Sequence, residues 1–147
     1  MNNISKIIIL FILSLASSFA FADSPINLAG IYHCTVQDQN GETFHSTVTY
    51  TLDSKNSNFS KNYSAYHFKG VSQYGTVYLG EAILRGNALA VYTYNASSKK
   101  QNDIGLEIST VTQSIDAQGQ KQTALDSLLY DPLDAGGGST TAITCHN

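Results

Sequence analysis

Tryptophan is absent from this 147-residue chain, methionine occurs once, and proline and cysteine occur twice each. Charge is scarce too: eight Lys+Arg and eleven Asp+Glu make up 13% of the residues, about half the usual globular share. A net charge of −3 excludes a basic nucleic-acid binder, and the low charge density excludes a charge-driven disordered chain. Two cysteines are too few for a cysteine-only zinc site. Glycine-rich phosphate loops, a G-x-S-x-G elbow and H-x-x-x-H spacing are all missing. What remains is 42% apolar, with eleven Gly and nine Tyr, a composition that leans towards β-structure in a single domain.

The one long apolar stretch is at the start. Lys6 supplies a positive n-region, Ile7 to Leu13 an apolar run, and Ala20-Phe21-Ala22 a small-residue cleavage signal. Residues 1–22 are expected to be a cleaved signal peptide and 23–147 a single exported domain, periplasmic or secreted. No later segment is apolar enough for a membrane helix. Export makes Cys34 and Cys145 readable as a disulfide, because an oxidising compartment favours pairing. The alternatives are two free thiols or an intermolecular bridge. An intramolecular bond would close nearly the whole domain, worth up to about 4–5 kcal/mol on chain-entropy grounds.

Turn signals recur about every ten residues, the spacing of an all-β sandwich or barrel. Thr43 to Leu52 alternates with period two: Phe44, Ser46, Val48, Tyr50 and Leu52 share one side. Leu28 to Gln37 precedes it as a strand. A two-residue turn at Asn40-Gly41 would place Ile31 opposite Tyr50 and Cys34 opposite Thr47, with His33 and His45 on different faces. Asp53 to Asn58 reads as loop, and Tyr63 to Val71 as strand. Thr76 to Arg85 and Ala88 to Tyr94 form a hairpin around Gly86-Asn87 in which Arg85 pairs with Ala88. Ala82, Leu84, Leu89 and Val91 share one face of it, and Leu79, Glu81, Ile83, Tyr92 and Tyr94 the other. Ile104 to Thr112 and Ser139 to Cys145 are further strands, while 120–138 reads equally as strand, short helix or loop. The expected fold is an all-β antiparallel meander of about eight strands. It closes into a small barrel, with the disulfide joining its first and last strands.

Candidate chemistry is thin. The four histidines lack metal-ligand spacing, so no metal or other cofactor is expected. Glu81 and Glu107 are the two in-strand acids, and they could act as an acid–base pair only if both point inward; no enzyme activity is expected. Tyrosines are the stronger signal. Tyr74, Tyr78, Tyr92 and Tyr94, with Glu81 among them, lie in or beside the central hairpin, where both faces are apolar. One face must line the interior and the other must meet a partner, a covering loop or a ligand.

The stretch Leu28-Ala29-Gly30-Ile31-Tyr32-His33-Cys34, followed by Asp38, resembles the L-A-G-x-Y-x-C opening of small exported bacterial proteins, some labelled fibronectin-binding. Gly80 to Val91 is similar to their G-x-x-x-L-x-G-N-x-L-x-V hairpin, and Ile104-Gly105-Leu106-Glu107 to their V-G-L-E strand. Their tryptophan-containing strand is missing, and 120–138 departs from the pattern. Gly30-Ile31-Tyr32 also resembles the start of lipocalin-like barrels, and Ser72 to Tyr78 the S-x-x-G-x-x-Y inhibitory loop of exported lysozyme inhibitors. The first resemblance implies a non-enzymatic bacterial binding protein that meets a host or envelope protein through its tyrosine-rich face. The lipocalin likeness implies a carrier of a small apolar ligand, and the inhibitor likeness a blocker of an extracellular hydrolase acting through residues 72–78. A barrel interior that is open rather than filled would favour the carrier.

Overall fold

Eight antiparallel strands follow one another round a closed barrel in the order in which they occur in the chain. They are β1 (Gly30–Gln37), β2 (Thr43–Asn58), β3 (Tyr63–Ser72), β4 (Val77–Arg85), β5 (Ala88–Asn95), β6 (Ile104–Ile115), β7 (Lys121–Asp131) and β8 (Ser139–His146). The structure is a computed structural model that describes residues 25–97, 103–132 and 138–147. The expected leader 1–22 lies outside the described residues.

Closure is made by β1 on β8, where His33 to Gln37 pair with Ala142 to His146. At five paired residues this is the shortest seam of the barrel. Cys34 and Cys145 face each other there as direct partners, their Cα atoms 4.0 Å apart, and form the disulfide. The bond therefore lies across the joint that has the fewest backbone hydrogen bonds to hold it.

Register follows turn chemistry, and in the first hairpin it differs by one residue from the expectation. Cys34 faces Ser46 and Ile31 faces Thr49. The Asp38 carboxylate accepts from the backbone N–H groups of Asn40 and Glu42 at 2.9 and 2.8 Å, while Gly41 N–H bonds back to the Asp38 carbonyl. That side chain builds a three-residue loop closed by a left-handed Gly41 (φ 81°), not a two-residue turn. Because a one-residue slip changes which residues are opposite, His33 and His45 fall together on the outer face. The Gly86-Asn87 hairpin has the expected register, with Arg85 opposite Ala88.

Two segments are more regular than their composition implies. Asp53 to Asn58 belongs to β2, with a register break between those two residues. The Asp53 carboxylate accepts from the N–H groups of Lys55 and Asn56 and from the Asn56 side chain, so a bulge absorbs the polar run. Lys121–Asp131 is strand β7, because Leu125 fits the core while Leu128 points out, a period of two rather than a helical one.

One end of the barrel is filled. Tyr32, Tyr50, Tyr66 and Phe68 stack edge-to-face with ring centroids 5.6–6.1 Å apart. Leu84, Leu89, Val111 and Leu125 complete that core. Leu28 precedes β1 rather than belonging to it, and is fully buried. The Leu28 N–H donates to the Tyr66 hydroxyl at 3.0 Å and the Tyr32 hydroxyl donates to the Leu28 carbonyl at 3.2 Å. Residues just before the barrel thus plug this end, with their backbone polar groups satisfied by tyrosines.

Candidate functional site

The opposite end is hollow. It carries the turns that join β1 to β2 and β3 to β4. A cavity of about 160 Å³ opens there, walled by Phe44, Tyr50, Phe68, Tyr78 and Leu129 among others. The space exists because inward positions at this level are small. Gly70 and Gly105 line it, as do Ser46 and Thr93. A Cβ at Gly105 would sit 2.7 Å from both Leu129 Cδ1 and Thr93 Oγ1. Nearer the plug the same inward rows carry Leu84 and Leu89, and the space is filled.

Glu107 is the polar centre of the wall. Val91 faces inward and is its direct partner across β5–β6, which commits Glu107 to the interior at 7% exposure. Ser109 Oγ donates to Glu107 Oε1 at 2.9 Å, and Ser127 Oγ donates to Ser109 Oγ at 2.7 Å. Burial pushes the Glu107 carboxyl up from its ordinary value, with the serine hydrogen bonds opposing. The same enclosure raises Tyr50 well above the usual phenol range, with the Glu107 charge adding to it. Tyr78 is raised by burial first, then by the charges of Asp103 and Asp131, which also line the cavity.

Because folding raises the Glu107 pKa, between the ordinary carboxylate value and the raised one the folded protein holds a proton that the unfolded chain releases. Stability therefore falls as pH rises through that window. Glu107→Gln is expected to flatten this slope and raise the urea midpoint at neutral pH relative to the parent. Midpoints measured from pH 4 to 8 check it, and an unchanged slope would remove the buried carboxyl from the account.

The other candidate residues separate. Tyr78 joins the cavity wall. Tyr92 and Tyr94 point outward at 45% and 42% exposure, their rings 6.5 Å apart. Tyr74 stands alone on the β3–β4 turn, 79% exposed. That turn is short and well bonded: Gly75 N–H donates to the Ser72 carbonyl, and Ser72 Oγ accepts from the N–H groups of Tyr74 and Thr76. Glu81 is on the outer face, its carboxylate 3.1 Å from His67 Nδ1. Glu81 and Glu107 are thus on opposite sides of the wall and do not form an acid–base pair. Among the described residues no group of three or more His, Cys, Asp or Glu side chains is arranged to hold a metal ion.

Sequence reasoning missed the small inward row Ser46, Gly70, Thr93 and Gly105. Its signal was available as small residues at inward parity in strands whose other inward residues are large.

No family model matches the chain, and no curated protein matches it. Among solved structures, the chain is similar to one described as "Structure of EF1p2_mFAP2b bound to DFHBI", at 13% identity and a TM-score of 0.49, over 82% of this chain and 93% of that one.

Proposed function

We propose that this is an exported, non-enzymatic binding protein that takes a small, largely apolar ligand into the hollow end of its barrel. One observation carries the reading: the barrel is plugged and packed at one end, and at the other is held open by small inward residues around a single buried carboxyl. A cavity of about 160 Å³ suits one ring with a short tail, since apolar cavities of about 150 Å³ accept benzene. Glu107 is buried in the wall, whereas Asp103 and Asp131, which also line the cavity, are only partly buried, so the site offers a ligand one polar anchor at depth. The disulfide and the leader-like residues 1–22 support export.

The experiment is a panel of one-ring alcohols, amines and acids read by ligand-observed NMR. At least one should bind below millimolar Kd, and Ser46→Phe, which fills the cavity from β2, should weaken it at least tenfold. The reading fails if none binds, or if binding survives the filled cavity.

A second reading is supported by the outer wall. Ile83, Leu106, Ile108 and Leu128 are 47–66% exposed, and with Tyr92 and Tyr130 they form adjoining rows across β4–β7. A contiguous patch of this kind marks a protein-docking face. Support for a hydrolase inhibitor is weaker, because Tyr78 turns into the barrel while Tyr74 turns out.

A further inference from the structure

We infer that the ligand is an organic cation, an ammonium group on a one-ring apolar body, held by Glu107 at depth and by the Asp103 end of the wall. This rests on the cavity being a ligand site. Every ionisable carboxyl or basic group lining the cavity is acidic: Asp103, Glu107 and Asp131, with no Lys, Arg or His among the described lining residues. The remaining wall is aromatic and aliphatic, with Phe44, Tyr50, Phe68 and Tyr78 presenting rings to the same space. Ring faces attract a cation and repel an anion. A cation brought against a buried carboxylate makes a strong charge-assisted hydrogen bond, so an ammonium ligand gains at Glu107 what a neutral isostere cannot. Asp103 is already oriented by the Asn95 side chain, which donates to it at 2.7 Å.

Titration calorimetry with 2-phenylethylammonium, 2-phenylethanol and phenylacetate tests this on three bodies of matched size. The expected order is ammonium, then alcohol, then carboxylate, with at least a tenfold step at each stage. Glu107→Gln should cost the ammonium tenfold or more and leave the alcohol nearly unchanged. Asp103→Asn, at the less enclosed end, should do the same more weakly and guards against a Glu107 variant that fails to fold. If the alcohol binds as well as the ammonium, the charge inference falls and the ligand-site reading stands. If none of the three binds, both fall.

Discussion

Replacing Cys34 and Cys145 together with serine is expected to lower the urea midpoint by about 1–2 M, corresponding to roughly 2–4 kcal/mol. The two cysteines are 111 residues apart in sequence, so the bond removes close to the largest loop entropy this domain offers from the unfolded state. It also lies on the shortest seam, where five residues of β1 pair with β8. Without it the barrel has two strand edges held by few hydrogen bonds, and an opened seam exposes unpaired N–H and C=O groups. Amide exchange on β1 and β8 should accelerate more than on β3 to β6. A parent and variant of equal midpoint, or exchange that rises uniformly, would show that the seam closes without help.

Gly80→Ala should be the most disruptive single-methyl change, at about 3 kcal/mol or more. Gly80 faces inward on β4, opposite Thr93. A Cβ there would overlap the Tyr92 carbonyl oxygen, and would lie 2.9 Å from the Tyr92 carbonyl carbon and 3.0 Å from the Thr93 Cα. These are backbone atoms, so relief requires β4 to move away from β5 and loosens the wall beside the cavity. Gly105→Ala is the control, because the atoms it meets are the ends of the Leu129 and Thr93 side chains, which rotate aside. Its cost should be clearly smaller, and denaturant midpoints of the two variants give the comparison. Equal costs would mean that the β4–β5 approach is not tight.

The barrel was legible because two turns and one covalent bond constrain it. Gly86-Asn87 sets the β4–β5 register, and Cys34 with Cys145 brings the first and last strands together. The first register was misread because Asn40-Gly41 looks like a two-residue turn, whereas Asp38 captures two N–H groups and widens the loop by one residue. The site was hidden by inverted patterning on β6. There Leu106 and Ile108 face outward and Glu107 and Ser109 inward, the reverse of what hydrophobicity alone dictates. Cross-strand pairing decides it, since Leu89 and Val91 are inward and opposite Ser109 and Glu107. Hydrophobicity along one strand does not report its partner's face. The inversion has a consequence on each side of the wall: a polar centre inside and an apolar face outside. Tyr78 and Tyr92 divide in the same way, by parity, although composition groups them together.

The central claim, that the hollow end of the barrel is a ligand site, is tested most directly by a backbone-resolved NMR titration with 2-phenylethylammonium. Saturable shifts are expected, concentrated at Ser46, Phe68, Gly70, Tyr78, Thr93, Gly105 and Glu107, with the plug around Leu28 and Tyr66 unmoved. Shifts confined to the outer residues of β4–β7, or no saturable shift at millimolar probe, would contradict it.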